Sequence, residues 1–251
     1  MIETAGLTKR YGDTLIVDGI DLALPRRGVT AIIGQNGAGK STLLGLIGRL
    51  IPASSGHILL DGVDMTRAPG KEIARRLSIL RQSNTIAARL TVRDLVAFGR
   101  FPHSGGRPSA EEAGHIARAL RQVDLEASAD RFLDELSGGQ CQRAALAMVL
   151  CQDTDYILLD EPLNHLDLKH ARAVMRLVRG LADEAGKSVV LVVHDINVAA
   201  NYANHIIALR DGRILRQGSP AAIMTSETLA AIYDIDIEIA DIGGRRFCIA
   251  V

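Results

Sequence analysis

The stretch Val29-Thr30-Ala31-Ile32-Ile33-Gly34-Gln35-Asn36-Gly37-Ala38-Gly39-Lys40-Ser41-Thr42-Leu43-Leu44-Gly45-Leu46-Ile47 decides the reading of this chain. Its first five residues are an apolar run that reads as a buried strand. From Thr42 onward it reads as a helix start. Between them, residues 34–41 fit G-x-x-x-x-G-K-[ST] in full. Strand, glycine loop and helix in that order are the context that a phosphate-binding loop needs. The glycines let backbone N–H groups turn inward around a phosphate chain, and the helix N-terminus adds partial positive charge at the same place. Lys40 is placed to reach the β- and γ-phosphates, and the Ser41 hydroxyl to ligate Mg²⁺. Gly34, Asn36, Gly37, Ala38, Gly39 and Thr42 complete the expected nucleotide contacts. An ordinary glycine turn between strand and helix does not need Lys-Ser at this offset. Taken alone, the octet specifies a nucleoside triphosphate and nothing narrower.

The chain has 251 residues, enough for one large α/β domain or two small ones. Lys and Arg total 29, as do Asp and Glu, so the net charge is zero. That balance argues against broad electrostatic binding to nucleic acid, which needs a basic face. Aromatics make up 3% with no Trp, which argues against stacking platforms for single strands. Hydrophobic residues reach 47%, ample for a core. Cys141, Cys151 and Cys248 show no C-x-x-C spacing and fit free thiols in a reducing compartment. Met1-Ile2-Glu3-Thr4 shows no basic segment leading into an apolar run, so no signal peptide is expected. No apolar stretch approaches the ~18 residues of a spanning helix.

Outward from the loop, residues 1–30 alternate short apolar runs with turn signals at Tyr11-Gly12-Asp13, Val17-Asp18-Gly19 and Pro25-Arg26-Arg27-Gly28. These predict short antiparallel strands. A strand is expected at 57–60, a turn at Asp61-Gly62, then a short helix and a strand over 71–82 that ends at Gln82. Residues 83–149 carry helical spacing and no strand-like runs. Thr91-Val92-Arg93-Asp94 resembles a capping box ahead of Leu95, Val96 and Phe98. Two prolines and two glycines predict a loop over 101–108, and helices resume at 109–123 and 140–150. Apolar strands return at 156–159 and 188–193, separated by an amphipathic helix over 168–184. Strands apolar throughout belong in a parallel sheet covered on both faces. A hairpin is expected over 205–218, turning at Asp211-Gly212, followed by a helix at 226–233 and two short strands around Gly243-Gly244.

Leu158-Leu159-Asp160-Glu161 puts two carboxylates at the C-terminal end of an apolar strand. Phosphate-loop enzymes need a strand-end Asp there to hold Mg²⁺, and Glu161 is placed to polarise an attacking water. Acidic strand ends are common, so this pair gains its meaning from the loop upstream. Leu136-Ser137-Gly138-Gly139-Gln140 opens a helix whose N-terminus suits an anion.

That pentapeptide, between a phosphate loop and an Asp-Glu strand, resembles the signature of ATP-binding-cassette (ABC) ATPases. The resemblance covers essentially the whole chain. It implies one domain over 1–251: a P-loop NTPase (RecA-like) α/β core with an N-terminal antiparallel β subdomain over 1–82 and 150–218, an inserted helical subdomain over 83–149, and a short extension over 219–251. It implies that Tyr11 stacks on adenine, where an edge-strand packing residue is the plainer alternative. It implies that Gln82 contacts Mg²⁺ or the attacking water, that His194 hydrogen-bonds the γ-phosphate, and that Asp167 of Asn164-His165-Leu166-Asp167 crosses a dimer interface. Ser137 and Gly139 would face the γ-phosphate held by Lys40 of a second cassette, with Gly138 and Gln140 among the nucleotide contacts. Two chains head to tail then make two ATP sites. Cys141 departs from the polar or basic residue more usual after the signature, which leaves a thiol near that interface.

Residues 91–103 resemble the importers of ferric siderophores, haem and cobalamin. The runs 161–170 and 194–200, and Ile232-Tyr233-Asp234, resemble the ferric-siderophore cassettes among them. The resemblance implies an ATPase, peripheral at the cytoplasmic face of the inner (plasma) membrane. Its partners would be two integral-membrane permeases and, indirectly, a periplasmic or lipoprotein substrate-binding protein, with no nucleic acid. Haem or cobalamin is the alternative cargo. A soluble cassette acting on nucleic acid or ribosomes usually carries two cassettes or a coiled-coil insertion, and this chain has neither. An exporter's cassette is disfavoured by the match at 91–103. The surface over 83–108, Arg100 and Phe101 included, is expected to face the permease.

Overall fold

The computed structural model describes residues 1–82, 88–106 and 109–250. In chain order the elements begin β1 (Ile2–Tyr11), β2 (Thr14–Leu24), β3 (Gly28–Ile33), α1 (Lys40–Ile47), β4 (Ser55–Leu60), β5 (Val63–Asp64), α2 (Gly70–Ala74) and β6 (Leu77–Leu80). The helices α3 (Val92–Phe98), α4 (Phe101–Ser104), α5 (Ala110–Gln122) and α6 (Gly138–Cys151) follow. Then come β7 (Tyr156–Asp160), α7 (Leu168–Asp183), β8 (Ser188–Val192), α8 (Ile196–Tyr202), β9 (His205–Arg210), β10 (Arg213–Gly218), α9 (Pro220–Ile223), α10 (Ser226–Tyr233), β11 (Ile237–Ile242) and β12 (Arg245–Ala250).

A six-stranded sheet in the order β10-β9-β3-β8-β7-β6 forms the core, parallel except at the β9–β10 hairpin. A four-stranded antiparallel sheet, β2-β1-β4-β5, lies over one face. Successive strand side chains point to opposite faces, and the burial follows this alternation. Ile32, Leu158, Val190 and Val192 pack with α1 and the antiparallel sheet. Ala31, Ile33, Ile157, Leu159, Val189 and Leu191 pack with α7, α8 and the helices between β6 and β7. With both faces covered, the strands have no polar side to show, hence their unbroken apolar runs. No helix among the described residues is long and apolar enough to cross a membrane.

Four local expectations change. Val17-Asp18-Gly19 is not a turn: it lies inside β2, where the register against β1 slips between Leu7↔Ile20 and Lys9↔Val17. Gly19, at φ 59°, supplies the left-handed residue that a β-bulge needs. Phe101–Ser104 is a short helix rather than loop, because Pro102 sits in its first turn, where a missing N–H costs nothing. Residues 105–106 are turn as expected, whereas 107–108 lie outside the described residues, as do 83–87, where the helical insertion is expected to start. Arg100 is not a surface residue. It is 6% exposed, pairs with Glu112, and donates to the Cys151 carbonyl at 3.0 Å, so it locks α4 against α5 and α6. Finally, α8 and α9 are two helices beyond those expected, each begun by a side-chain cap, from Asp195 and Ser219 respectively. The capping box at Thr91 and Asp94 is formed, and it buries Leu95 and Val96 but leaves Phe98 53% exposed.

Candidate functional site

The loop after β3 is shaped by its glycines. Gly34 sits at φ 143°, and a Cβ there would come 2.2 Å from the Leu209 carbonyl oxygen. Gly39, at φ 93°, caps α1 and would put a Cβ 2.6 Å from the Ile16 carbonyl oxygen. No larger residue fits either position. The turn delivers Lys40 to the first position of α1, where the side chain folds back and donates to the carbonyls of Gly34 at 2.9 Å and Gln35 at 2.8 Å. Burial lowers the Lys40 pKa, and the nearby Glu161 and Asp160 charges oppose that fall. The ammonium is buried and hydrogen-bonded to two carbonyl oxygens, for which a phosphate anion is a stronger replacement partner.

Asp160, the last residue of β7, accepts a hydrogen bond from Ser41 Oγ at 2.8 Å. Burial raises its pKa and the Glu161 charge adds to the rise, against the Ser41 hydrogen bond and the Lys40 charge. A hydroxyl and a buried carboxylate side by side are hard oxygen donors. They suit Mg²⁺, which takes one or two protein oxygens and completes its shell with phosphates and water.

Glu161 follows β7 at φ 51°, left-handed backbone that few non-glycine residues adopt. Its carboxylate is 7% exposed and collects three neighbours. Gln82 Nε2 donates to Oε2 at 2.9 Å, Asn164 Nδ2 donates to Oε2 at 2.5 Å, and His194 Nε2 lies 2.6 Å from Oε1. Gln82, Glu161 and His194 thus meet, though they come from the ends of β6, β7 and β8. With Asn36, Gly37, Gly39, Lys40, Ser41 and Thr42 they line one concavity of about 330 Å³. A second concavity of about 310 Å³ shares Ser41, Thr42 and Gln82 and adds Tyr11 and Asp160. Tyr11, at the end of β1, is 52% exposed and carries Lys9 Nζ 4.8 Å from its ring centroid. Ala38 is buried beneath the loop.

Other sequence-predicted residues stand apart. Ser137, Gly138, Gly139, Gln140 and Asp167 line neither concavity. Ser137 and Gln140 form a reciprocal cap on α6, with Gln140 N donating to Ser137 Oγ at 3.3 Å and Ser137 N to Gln140 Oε1 at 3.0 Å. Gly139 is pressed against the loop before α7, where a Cβ would sit 3.0 Å from the His165 carbonyl oxygen. Asp167 caps α7 by accepting His170 N at 2.8 Å. Sequence reasoning gave no part to Asn164 or Gln142, whose Nε2 donates to the Glu161 carbonyl at 3.4 Å. The available signal was Asn164 three residues after the strand-end Glu, in a segment quoted only for its Asp.

Residues 17–164 match the ABC transporter family. The chain is 47% identical over 246 residues to the petrobactin import ATP-binding protein YclP of Bacillus subtilis, covering 98% of each chain. It is 42% identical over 239 residues to the ferric enterobactin transport ATP-binding protein FepC of Escherichia coli, covering 94% of this chain and 88% of the other. The fold is similar to a dimeric ATP-binding cassette solved in a post-hydrolysis state with ADP and Pi. There the TM-score is 0.79 and the identity 30%, with 88% of this chain and 99% of the other covered.

Proposed function

The chain belongs to the ABC transporter family of ATP-binding cassettes, and from that premise we propose that it is the ATP-hydrolysing subunit of a bacterial importer for a ferric siderophore. The observation that carries the reading is the convergence of Gln82, Glu161 and His194 beside Lys40 and Ser41 in one concavity. Relatives named for petrobactin and enterobactin uptake support the cargo.

In this reading Lys40 leaves the Gly34 and Gln35 carbonyls to bind the β- and γ-phosphates, and loop N–H groups wrap the chain of phosphates. Tyr11 packs on the base. Ser41, Asp160 and Gln82 would hold Mg²⁺, which when bound neutralises charge on the phosphate oxygens. Glu161 takes the proton of the attacking water. Gln82 and Asn164 keep its carboxylate aimed at the cavity, and His194 stands between that carboxylate and the γ-phosphate position. The signature residues Ser137, Gly138, Gly139 and Gln140 serve the site of a second copy, with Asp167 at the seam. The homodimer sits peripherally beneath two membrane permeases at the cytoplasmic face, and a substrate-binding protein delivers cargo from outside.

The test is uptake of a ferric siderophore in a strain lacking this gene and its paralogues. Uptake is expected to be lost and restored by the wild-type gene. Normal uptake in the deletion strain would remove the cargo assignment while leaving the ATPase untouched.

A further inference from the structure

The phosphate loop is held from behind by the last segment of the chain. α10 ends at Tyr233, and its C-cap Asp234 sits in the left-handed region at φ 57°. Glycine, which has no Cβ, is the usual residue there, with Asn and Asp tolerated because their short side chains can hydrogen-bond locally. From this strained position the Asp234 carboxylate accepts Gln35 Nε2 at 3.1 Å and pairs with Arg210 Nη1 at 2.9 Å. Arg210 also donates to the Ala231 carbonyl, which ties the end of α10 to the end of β9. The Tyr233 hydroxyl is buried with no hydrogen-bond partner among the described residues. Burial pushes it up to about 12.

Gly34 and Gln35 are the two residues whose carbonyls hold the Lys40 ammonium. The same C-terminal segment also reaches the helix behind His194. Cys248 N donates to Asn197 Oδ1 at 2.7 Å, and Asn197 Nδ2 donates back to the Cys248 carbonyl at 3.1 Å. α10 and the β11–β12 hairpin therefore contact the phosphate loop and the helix that follows His194 without lining the concavity.

We propose that Asp234 is a positioning residue for ATP: through the Gln35 side chain it holds the start of the 34–41 loop in its phosphate-binding shape before ATP arrives. The inference rests on the reading of residues 34–41 as the nucleotide site. A helix end needs no carboxylate, and a glycine at 234 would relieve the backbone. What the aspartate adds is the link from Arg210 to Gln35. A loop fixed before ATP arrives loses less freedom on binding, so the expected signature is in affinity rather than turnover.

The experiment compares Asp234→Ala, Asp234→Asn, Gln35→Ala and the Asp234→Ala/Gln35→Ala double variant in the full chain. Measured are ATP dissociation constant, turnover at saturating ATP, and melting temperature. Asp234→Ala should weaken ATP binding about fivefold, the low end of coupling between sites, with turnover and melting temperature little changed. Asp234→Asn keeps an oxygen for Gln35 and tolerates the left-handed backbone, so it should recover most of the affinity. Adding Gln35→Ala to Asp234→Ala should cost nothing further, because both remove one link. Wild-type affinity in Asp234→Ala overturns the proposal, as does full additivity accompanied by a matching fall in melting temperature. Lys40→Ala run alongside separates the levels. If it abolishes ATP binding while Asp234→Ala binds normally, only the positioning role fails. If Lys40→Ala itself binds ATP normally, the nucleotide-site reading fails and the proposal with it.

Discussion

Glu161 holds a backbone angle that a glycine would take more easily, yet its carboxylate is the most heavily partnered group in the concavity. The left-handed turn swings the side chain back over the loop, where Gln82, Asn164 and His194 can reach it together. Glu161→Gln keeps the shape and removes the carboxylate proposed as the base. It should bind ATP as wild type and slow hydrolysis by about 10²-fold or more, read by single-turnover phosphate release. Wild-type turnover would take the base role from Glu161. Lys40, Ser41, Asp160 and Glu161 were legible from spacing alone, since each is fixed by a neighbouring strand end or helix start. Asn164 was not, because its contact depends on the φ of a residue three positions earlier. Nor was the Asp234 link to Gln35, which spans 199 residues of chain. Gln82, His194 and Tyr11 rested on resemblance, because a lone Gln, His or Tyr at a strand end has no chemistry of its own.

At the scale of elements, the β4–β5 turn is a junction. Asp61 accepts hydrogen bonds from Arg26 at 2.6 Å and Tyr156 Oη at 2.6 Å, and it pairs with Arg76 and the N-terminal ammonium. It thereby joins the antiparallel sheet to the start of β7 in the parallel one. Burial alone would raise its pKa, but the hydrogen bonds from the ammonium, Tyr156 and Arg26 outweigh that and hold it well below the usual carboxylate range. A depressed folded pKa contributes stability above the unfolded value and loses it as pH falls toward the folded one. Asp61→Asn should therefore destabilise the chain at pH 7 by about 1 kcal/mol, roughly 2–4 °C in melting temperature. The gap between variant and wild type should narrow below about pH 4. A gap that holds constant down to pH 2 would mean that shape, not charge, is lost. Element identity was readable where period and caps agreed, as at α3, α5 and β8. It failed where a residue had two uses: Gly19 serves a bulge as well as it would a turn, and Pro102 starts a helix as readily as it breaks one. Arg100 misled for a related reason, since a cation beside Phe101 looks like surface until Glu112, twelve residues on, is brought against it.

Across the whole molecule, the helical side presents Phe98 and Phe101 to solvent, 53% and 59% exposed, while the strand-end side presents the concavity. On the proposed importer role, those two rings belong to permease docking. Phe101→Ala should then lower ferric-siderophore uptake several-fold, beyond any change in ATP hydrolysis by the free chain. Equal loss of both would make Phe101 a residue of the fold. The layered architecture followed from the apolar runs, but the relation of 137–140 to the loop at 34–41 did not, because spacing along a chain says nothing of which surface a helix start will face. That separation has a kinetic meaning. If each working site needs Lys40 of one copy and Ser137 of another, hydrolysis by the free chain is bimolecular in protein. Specific activity then rises with dilution reversed and vanishes as copies are spread apart. Two permeases side by side would lift the local concentration of paired copies to about the millimolar range that short tethers produce. The membrane complex would then act on ATP turnover as a concentrator, independent of any cargo it carries.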